Sequence, residues 1–181
     1  DSPGSQTTII LAAHGAPATD YPSMRVGLLM AIEFSGRLAA HSRLLQRWRD
    51  ALDHQIRAWP RTAGNDPYKA AVDALAAGLA AQVNHRVIAG YNEFCEPTIA
   101  AAIDQAAAGE ARQIIVIPTM LLRGNQHTEA EIRLAVDDAR RRYPGVEIHY
   151  AWPFDQEQLV GLFAGQIHTF EENSKRNGGD R

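Results

Sequence analysis

A single cysteine, Cys95, stands in 181 residues, so no intramolecular disulfide is available and the chain fits a reducing compartment. No apolar run approaches the roughly 20 residues that a membrane-spanning helix needs. The opening Asp1 to Gln6 is too polar for a signal peptide, and the expectation is a cytoplasmic protein with no membrane partner. Charge of one sign is also scarce: the formal net charge is -3. That gives no electrostatic footprint for nucleic acid and leaves any anionic ligand to a local cluster of arginine. There is no Walker phosphate loop and no Gly-x-Gly-x-x-Gly after a strand, so neither ATP nor a dinucleotide is indicated. The Gly-x-Ser-x-Gly elbow of serine hydrolases is missing as well. Cys95 lies between Glu93 and Glu96 with no electropositive setting, and reads as an inert thiol.

What is present is the balance of a globular chain, 45% hydrophobic and 22% charged, long enough for one self-sufficient domain over 1–181. Short apolar runs alternate with helical patterns. Thr7 to Ala13, Arg86 to Tyr91, Gln113 to Pro118 and Val146 to Trp152 read as strands. Asp66-Pro67 is an N-cap with proline at the first helical position, opening an Ala-rich helix to about Val83, and Thr98 to Ala107 is a helix stopped by Gly109. A third helix starts at Thr128, which with Glu131 fits a capping box, and a fourth runs from Asp155 to about Phe170. This alternation implies an α/β fold, a parallel four-stranded sheet with right-handed crossovers and helices on both faces. Between the first strand and Asp66, the stretch from about 24 to 60 is helical and rich in arginine. Leu45, Trp48, Leu52, Ile56 and Trp59 mark one apolar face, Arg43, Arg47, Arg49, Asp50, Asp53 and Arg57 a solvated one, and Gly36 a division into two helices. The polar stretch Glu171 to Arg181 is expected to fray.

Seven histidines are present, and position separates two of them from the rest. His41, His54, His85 and His168 fall on predicted helices or a helix end, and His149 within a strand, so all five read as structural. His14 and His127 each follow an apolar strand and adjoin a glycine turn. Both imidazoles therefore fall at strand carboxyl ends, where open α/β sheets bind ligands. Glu93 and Glu96 lie at a third strand end. Two imidazoles and a carboxylate suit a divalent first-row ion, Fe(II), Co(II), Ni(II) or Zn(II), held with open positions.

The early His14-Gly15, then Glu93-Phe94-Cys95-Glu96-Pro97-Thr98-Ile99, then Pro118-x-x-Leu121-Leu122-x-Gly124-x-x-His127-Thr128-x-x-Glu131-Ile132 resembles the class II tetrapyrrole chelatases of the sirohydrochlorin cobaltochelatase and ferrochelatase family. The resemblance covers about Thr7 to Pro17 and Arg86 to Pro153. It implies a chelatase-like fold that inserts Co(II) or Fe(II), with Ni(II) as a third candidate, into a tetrapyrrole substrate without ATP. It also implies His14 and His127 as metal and ring-centre ligands, with Glu93 or Glu96 assisting and Glu93 the third metal ligand. Acidic ring substituents would call for arginine, for which Arg123 in the His127 loop is the candidate. Relative to compact family members the 24–60 segment is an insertion, suited either to a lid over the ring or to a homodimer interface. The loop from Pro118 to His127 is one residue longer than usual, and Trp152-Pro153-Phe154-Asp155 replaces a small-residue ending. Two other readings stand beside this one: a non-catalytic tetrapyrrole or metal carrier on the same scaffold, and a zinc hydrolase using His14, Glu93 and His127.

Overall fold

A computed structural model describes residues 6–35 and 42–178. Gly36, His41 and the two chain ends lie outside the described residues. Four strands, β1 (Thr7–Ala13), β2 (Arg86–Tyr91), β3 (Gln113–Pro118) and β4 (Glu147–Tyr150), form one all-parallel sheet in the order β2-β1-β3-β4. This is the α/β sheet that the alternation of patterns implies. Side chains of β1 point to opposite faces in turn, and each face has its own core. Ile10 and Ala12 pack with α4 (Ile99–Ala108), α5 (Ile132–Arg142), Ile114, Val116 and Ile148. Leu11 and Ala13 pack on the other side with Val72 and Ala76 of α3 (Pro67–Val83) and with Tyr91. β1 is covered on both faces, which is why its sequence is an unbroken apolar run.

The local signals that open the helices act as read in two cases. The Asp66 carboxylate accepts the Lys69 N–H at 2.8 Å and Pro67 takes the first turn of α3. Thr98 accepts the Ala101 N–H at 3.1 Å to open α4. β4 is shorter than the apolar run around it, and the last helix, α6, runs over Gln156–Gly178. The fraying expected from Glu171 is therefore corrected: the helix continues, with no proline to break it and with Glu171 and Glu172 four residues before Lys175 and Arg176, a spacing that supports helix. No helix of the described residues is long and apolar enough to cross a membrane.

Two further helices, α1 (Ser23–Phe34) and α2 (Arg43–Arg57), fill the 24–60 segment and pack on each other. Their core joins Leu29, Ile56, Ala18, Tyr21 and Phe94, with Leu52 and Trp59 against it. Trp59 donates to Asp20 at 2.9 Å and meets Tyr21 edge-on. The predicted apolar stripe is thus buried at its C-terminal end, while Trp48 is 55% exposed at the other. Arg57, predicted on the solvated face, turns inward instead. Its guanidinium reaches backbone carbonyls in the loop after β2.

Candidate metal centre

Parallel pairing aligns the carboxyl ends of three strands, with Ala13 opposite Tyr91 and Ala12 opposite Pro118. The pairing of β1 with β2 continues past the strands: Asn92 N–H donates to Ala13 O at 2.9 Å and Glu93 N–H to His14 O at 2.8 Å. His14 and Glu93 are therefore neighbours by backbone register. Gly15 makes that approach possible. Its φ is +98°, and a Cβ there would stand 1.9 Å from Glu93 O.

The His14 Nδ1 lies 2.9 Å from Gly15 O. A carbonyl only accepts, so Nδ1 carries the proton and Nε2 presents a bare lone pair. That Nε2 stands 3.8 Å from the Glu93 carboxylate.

His127 comes from the loop after β3, and here the expected capping box is corrected. Residues His127–Glu131 form a π-helical turn running into α5, with the Ile132 N–H bonded to His127 O. Asn125, not Thr128, caps it: the Asn125 side chain accepts the His127 N–H at 2.9 Å, and its carbonyl accepts from Glu129 N–H and the Thr128 hydroxyl. Tyr150 of β4 donates to Thr128 O at 2.9 Å and ties the turn to the sheet. Glu131 is thereby free to face His127. Its carboxylate lies 2.8 Å from His127 Nδ1 and 2.5 Å from the Asn92 amide, which itself stands 2.6 Å from Nδ1. Partial burial works to raise the Glu131 pKa, but the hydrogen bonds from Asn92 and His127 outweigh it and hold the carboxyl below its usual range. An ionised carboxylate accepts, so Nδ1 of His127 carries the proton and its Nε2 is also bare. A ligand histidine held through its other nitrogen by a carboxylate is a recurrent metal-site device. The π-turn is equally a device that collects at functional sites.

The two imidazoles meet edge to face with centroids 4.6 Å apart. Among the described residues, His14, Glu93 and His127 form a metal-competent group, one ligand atom from each lying within 4.8 Å of the others. Metal bonds of about 2.0–2.2 Å place neighbouring ligands of a tetrahedral ion about 3.3–3.6 Å apart, so shifts on the order of an ångström close the trio on an ion. All three side chains are partly exposed, which leaves positions open for a second ligand.

The remaining predicted residues lie elsewhere. Glu96 is outside the trio: it is exposed, and its carboxylate accepts the Thr98 N–H at 3.1 Å at the entry to α4. Glu93 follows β2 directly, whereas Glu96 comes after Phe94, whose φ of 59° turns the chain. Arg123 is exposed on the wall of an apolar pocket of about 310 Å³ shared by Leu121, Leu122, Phe154, Leu159, Val160 and Phe163. Cys95 is buried against Asp66 and Ala16 O, and burial pushes its thiol up. His149 is exposed on the edge strand, 3.7 Å from Glu147. Glu131 reads from the sequence only as half of a capping box and not as a partner of His127, although its place four residues after His127 puts both on one helix face.

Replacing Glu131 by Ala leaves the His127 ring without its carboxylate anchor. The expected result is a loss of Co(II) affinity on the order of 10- to 100-fold, read by cobalt titration of the visible spectrum. Affinity equal to that of the unaltered protein would show that the Glu131 contact is incidental to the ring.

A family model for CbiX matches residues 63–166. A sirohydrochlorin cobaltochelatase of Priestia megaterium is 38% identical over 82 residues, 45% of this chain, and the chain spans 26% of that relative's length. Among solved structures, a CbiX protein of Marinobacter aquaeolei VT8 shares the fold, with a TM-score of 0.50 and 17% identity over 92% of this chain and 98% of that one. The cobalt complex of the sirohydrochlorin chelatase SirB from Bacillus subtilis subspecies spizizenii is a more distant likeness, with a TM-score of 0.44 and 18% identity over 90% of this chain and 50% of that one. The family match takes in β2, the Glu93 loop, β3 and the His127 turn, more than half of the sequence, and the chain belongs to the CbiX family.

Proposed function

We propose that this protein is a metal chelatase that inserts Co(II) or Fe(II) into a sirohydrochlorin-type tetrapyrrole without ATP. The observation that carries this is the set of three ligand atoms, two imidazole and one carboxylate, gathered within 4.8 Å at one edge of the sheet. The relative's name, sirohydrochlorin cobaltochelatase, supplies the substrate class. Ni(II) is a third ion with the same preference for imidazole.

Insertion exchanges two pyrrole N–H protons for one divalent ion. His14 and His127, each with a bare Nε2, hold the incoming ion and release it to the ring nitrogens. As the ion leaves, these nitrogens and the Glu93 carboxylate become free to accept the two protons, so the ligand set doubles as the base set. Three protein ligands and open positions suit an ion to be delivered, which must not be enclosed; a resident catalytic zinc has the same opening, and the insertion test separates the two. Arg123, beside a mostly apolar pocket that Gln156 also lines, is our candidate for an acidic ring substituent, where its fork can bind a carboxylate bidentately.

The test is anaerobic incubation with sirohydrochlorin and Co(II), followed by the absorbance change of the macrocycle. The protein should raise the rate above that in buffer. Glu93→Gln should lower it on the order of 100-fold and Glu96→Gln by no more than about threefold, since only the former removes a positioned proton acceptor. Ring binding without any gain in rate would turn the assignment to a tetrapyrrole carrier. A tightly held zinc ion in the purified protein, with no insertion, would turn it to a hydrolase.

A further inference from the structure

We infer that Arg57 and Arg61, two arginines outside the family-matched residues 63–166, are positioning residues that set Glu93 for metal binding, and that this is a task of the α1–α2 segment and the loop that leaves it. The inference rests on the trio being a metal site. Arg57 closes α2 and donates from Nη1 to Cys95 O at 3.0 Å and from Nη2 to Asn92 O at 3.1 Å, spanning Glu93 on both sides. Its Nε donates to Asp53 at 2.8 Å, which fixes the plane of the guanidinium. Arg61 donates to Ala16 O at 2.7 Å and to Phe94 O at 2.5 Å, tying the loop after His14 to the loop after Glu93. It also bonds Ile56 O at 2.9 Å and the Asp66 carboxylate at 2.6 Å.

These are not solvated arginines. The Arg57 and Arg61 side chains are 14% and 9% exposed, and Asp66 is 1% exposed. Only a planar fork with several fixed donors can hold carbonyls from two loops at once, and lysine, with one rotating ammonium, cannot reproduce it. The loop needs the restraint: Phe94 sits at a φ of 59°, a strained conformation that persists only where surroundings fix it. Phe94 is also packed on Leu29 and Ile56 of the same two helices. The floor and the donors of the Glu93 loop thus both come from the α1–α2 side, while His127 is fixed separately by Glu131.

Arg61→Met would strand the Asp66 carboxylate in the interior, so Arg57 carries the test. Co(II) affinity is measured on the full chain, without tetrapyrrole, for the unaltered protein, Arg57→Met, Arg57→Gln, Glu93→Gln and the Arg57→Met/Glu93→Gln pair, with thermal midpoints recorded for each. Both Arg57 variants are expected to bind Co(II) about tenfold more weakly. In the Glu93→Gln background, Arg57→Met should weaken it by less than about twofold further, because a positioning residue acts only through the group it positions. A merely structural arginine lowers the thermal midpoint without this coupling. Unaltered affinity in both Arg57 variants, or losses from Arg57 and Glu93 that simply multiply, would overturn the inference while leaving the metal site standing. Unaltered affinity in Glu93→Gln would remove Glu93 from the ligands, and the positioning role with it, whereas unaltered affinity in His127→Ala would overturn the metal-site reading itself.

Discussion

His127→Ala is expected to abolish the proposed metal insertion and to leave the fold in place. The ring removed is one of two bare imidazoles in the trio, and no other side chain of the group can substitute for it: Glu131 faces Nδ1, and the Asn92 amide donates to the Glu131 carboxylate. Loss of a positioned acid–base group alone costs on the order of 10²- to 10⁴-fold in rate, and on the proposed reading a metal ligand is lost with it. Stability should change little. The turn is held by Asn125, by the buried Thr128 and by Tyr150, none of which needs the imidazole. The measurement is the initial rate of cobalt insertion beside the thermal midpoint. A full rate in a folded variant removes His127 from the mechanism. His14→Ala should match it in rate, since its Nδ1 contact is only to the adjacent Gly15 O.

The two histidines were legible because strand ends are legible. A buried parallel strand reads as an apolar run, and His14 and His127 adjoin the glycines beyond two such runs; parallel topology then carries both to one edge. Glu93 and Glu96 could not be told apart because the choice depends on the turn at Phe94, a φ of 59° at a phenylalanine, which no sequence pattern announces. Glu131 was hidden by a pattern that fits two structures: Thr-x-x-Glu is a capping box when Thr is the cap, but Asn125 took that role and the helix opened as a π-turn. Arg57 was hidden differently. A helical wheel sees only its own helix, and placed Arg57 opposite the apolar stripe, whereas the Glu93 loop packs against that flank as well. Trp48 shows the converse, an aromatic on the stripe that the sheet never reaches.

Gly15→Ala is expected to lose both metal binding and several degrees of thermal stability, although it adds a single methyl group. Alanine at a φ of +98° is strained, costing on the order of 1–3 kcal/mol. The new Cβ also meets Glu93 O at 1.9 Å and its carbonyl carbon at 3.0 Å. A backbone carbonyl cannot swing aside as a side chain does, and this one is held by the Glu93 N–H bond to His14 O and by the arginines on either side. Relief therefore requires the His14 and Glu93 loops to part, and that parting separates two of the three proposed metal ligands. With about 1 kcal/mol shifting the midpoint by roughly 2–4 °C in a chain of this size, the strain alone is expected to lower it by about 2–12 °C. Gly78→Ala is the matched control. That glycine lies exposed within α3, and a methyl group added there would have nothing within 4 Å, so the same substitution should stabilise the helix by about 0.5–1 kcal/mol and leave cobalt affinity unchanged. If Gly15→Ala kept both its midpoint and its cobalt affinity, the close approach of the two loops would not be what holds His14 beside Glu93.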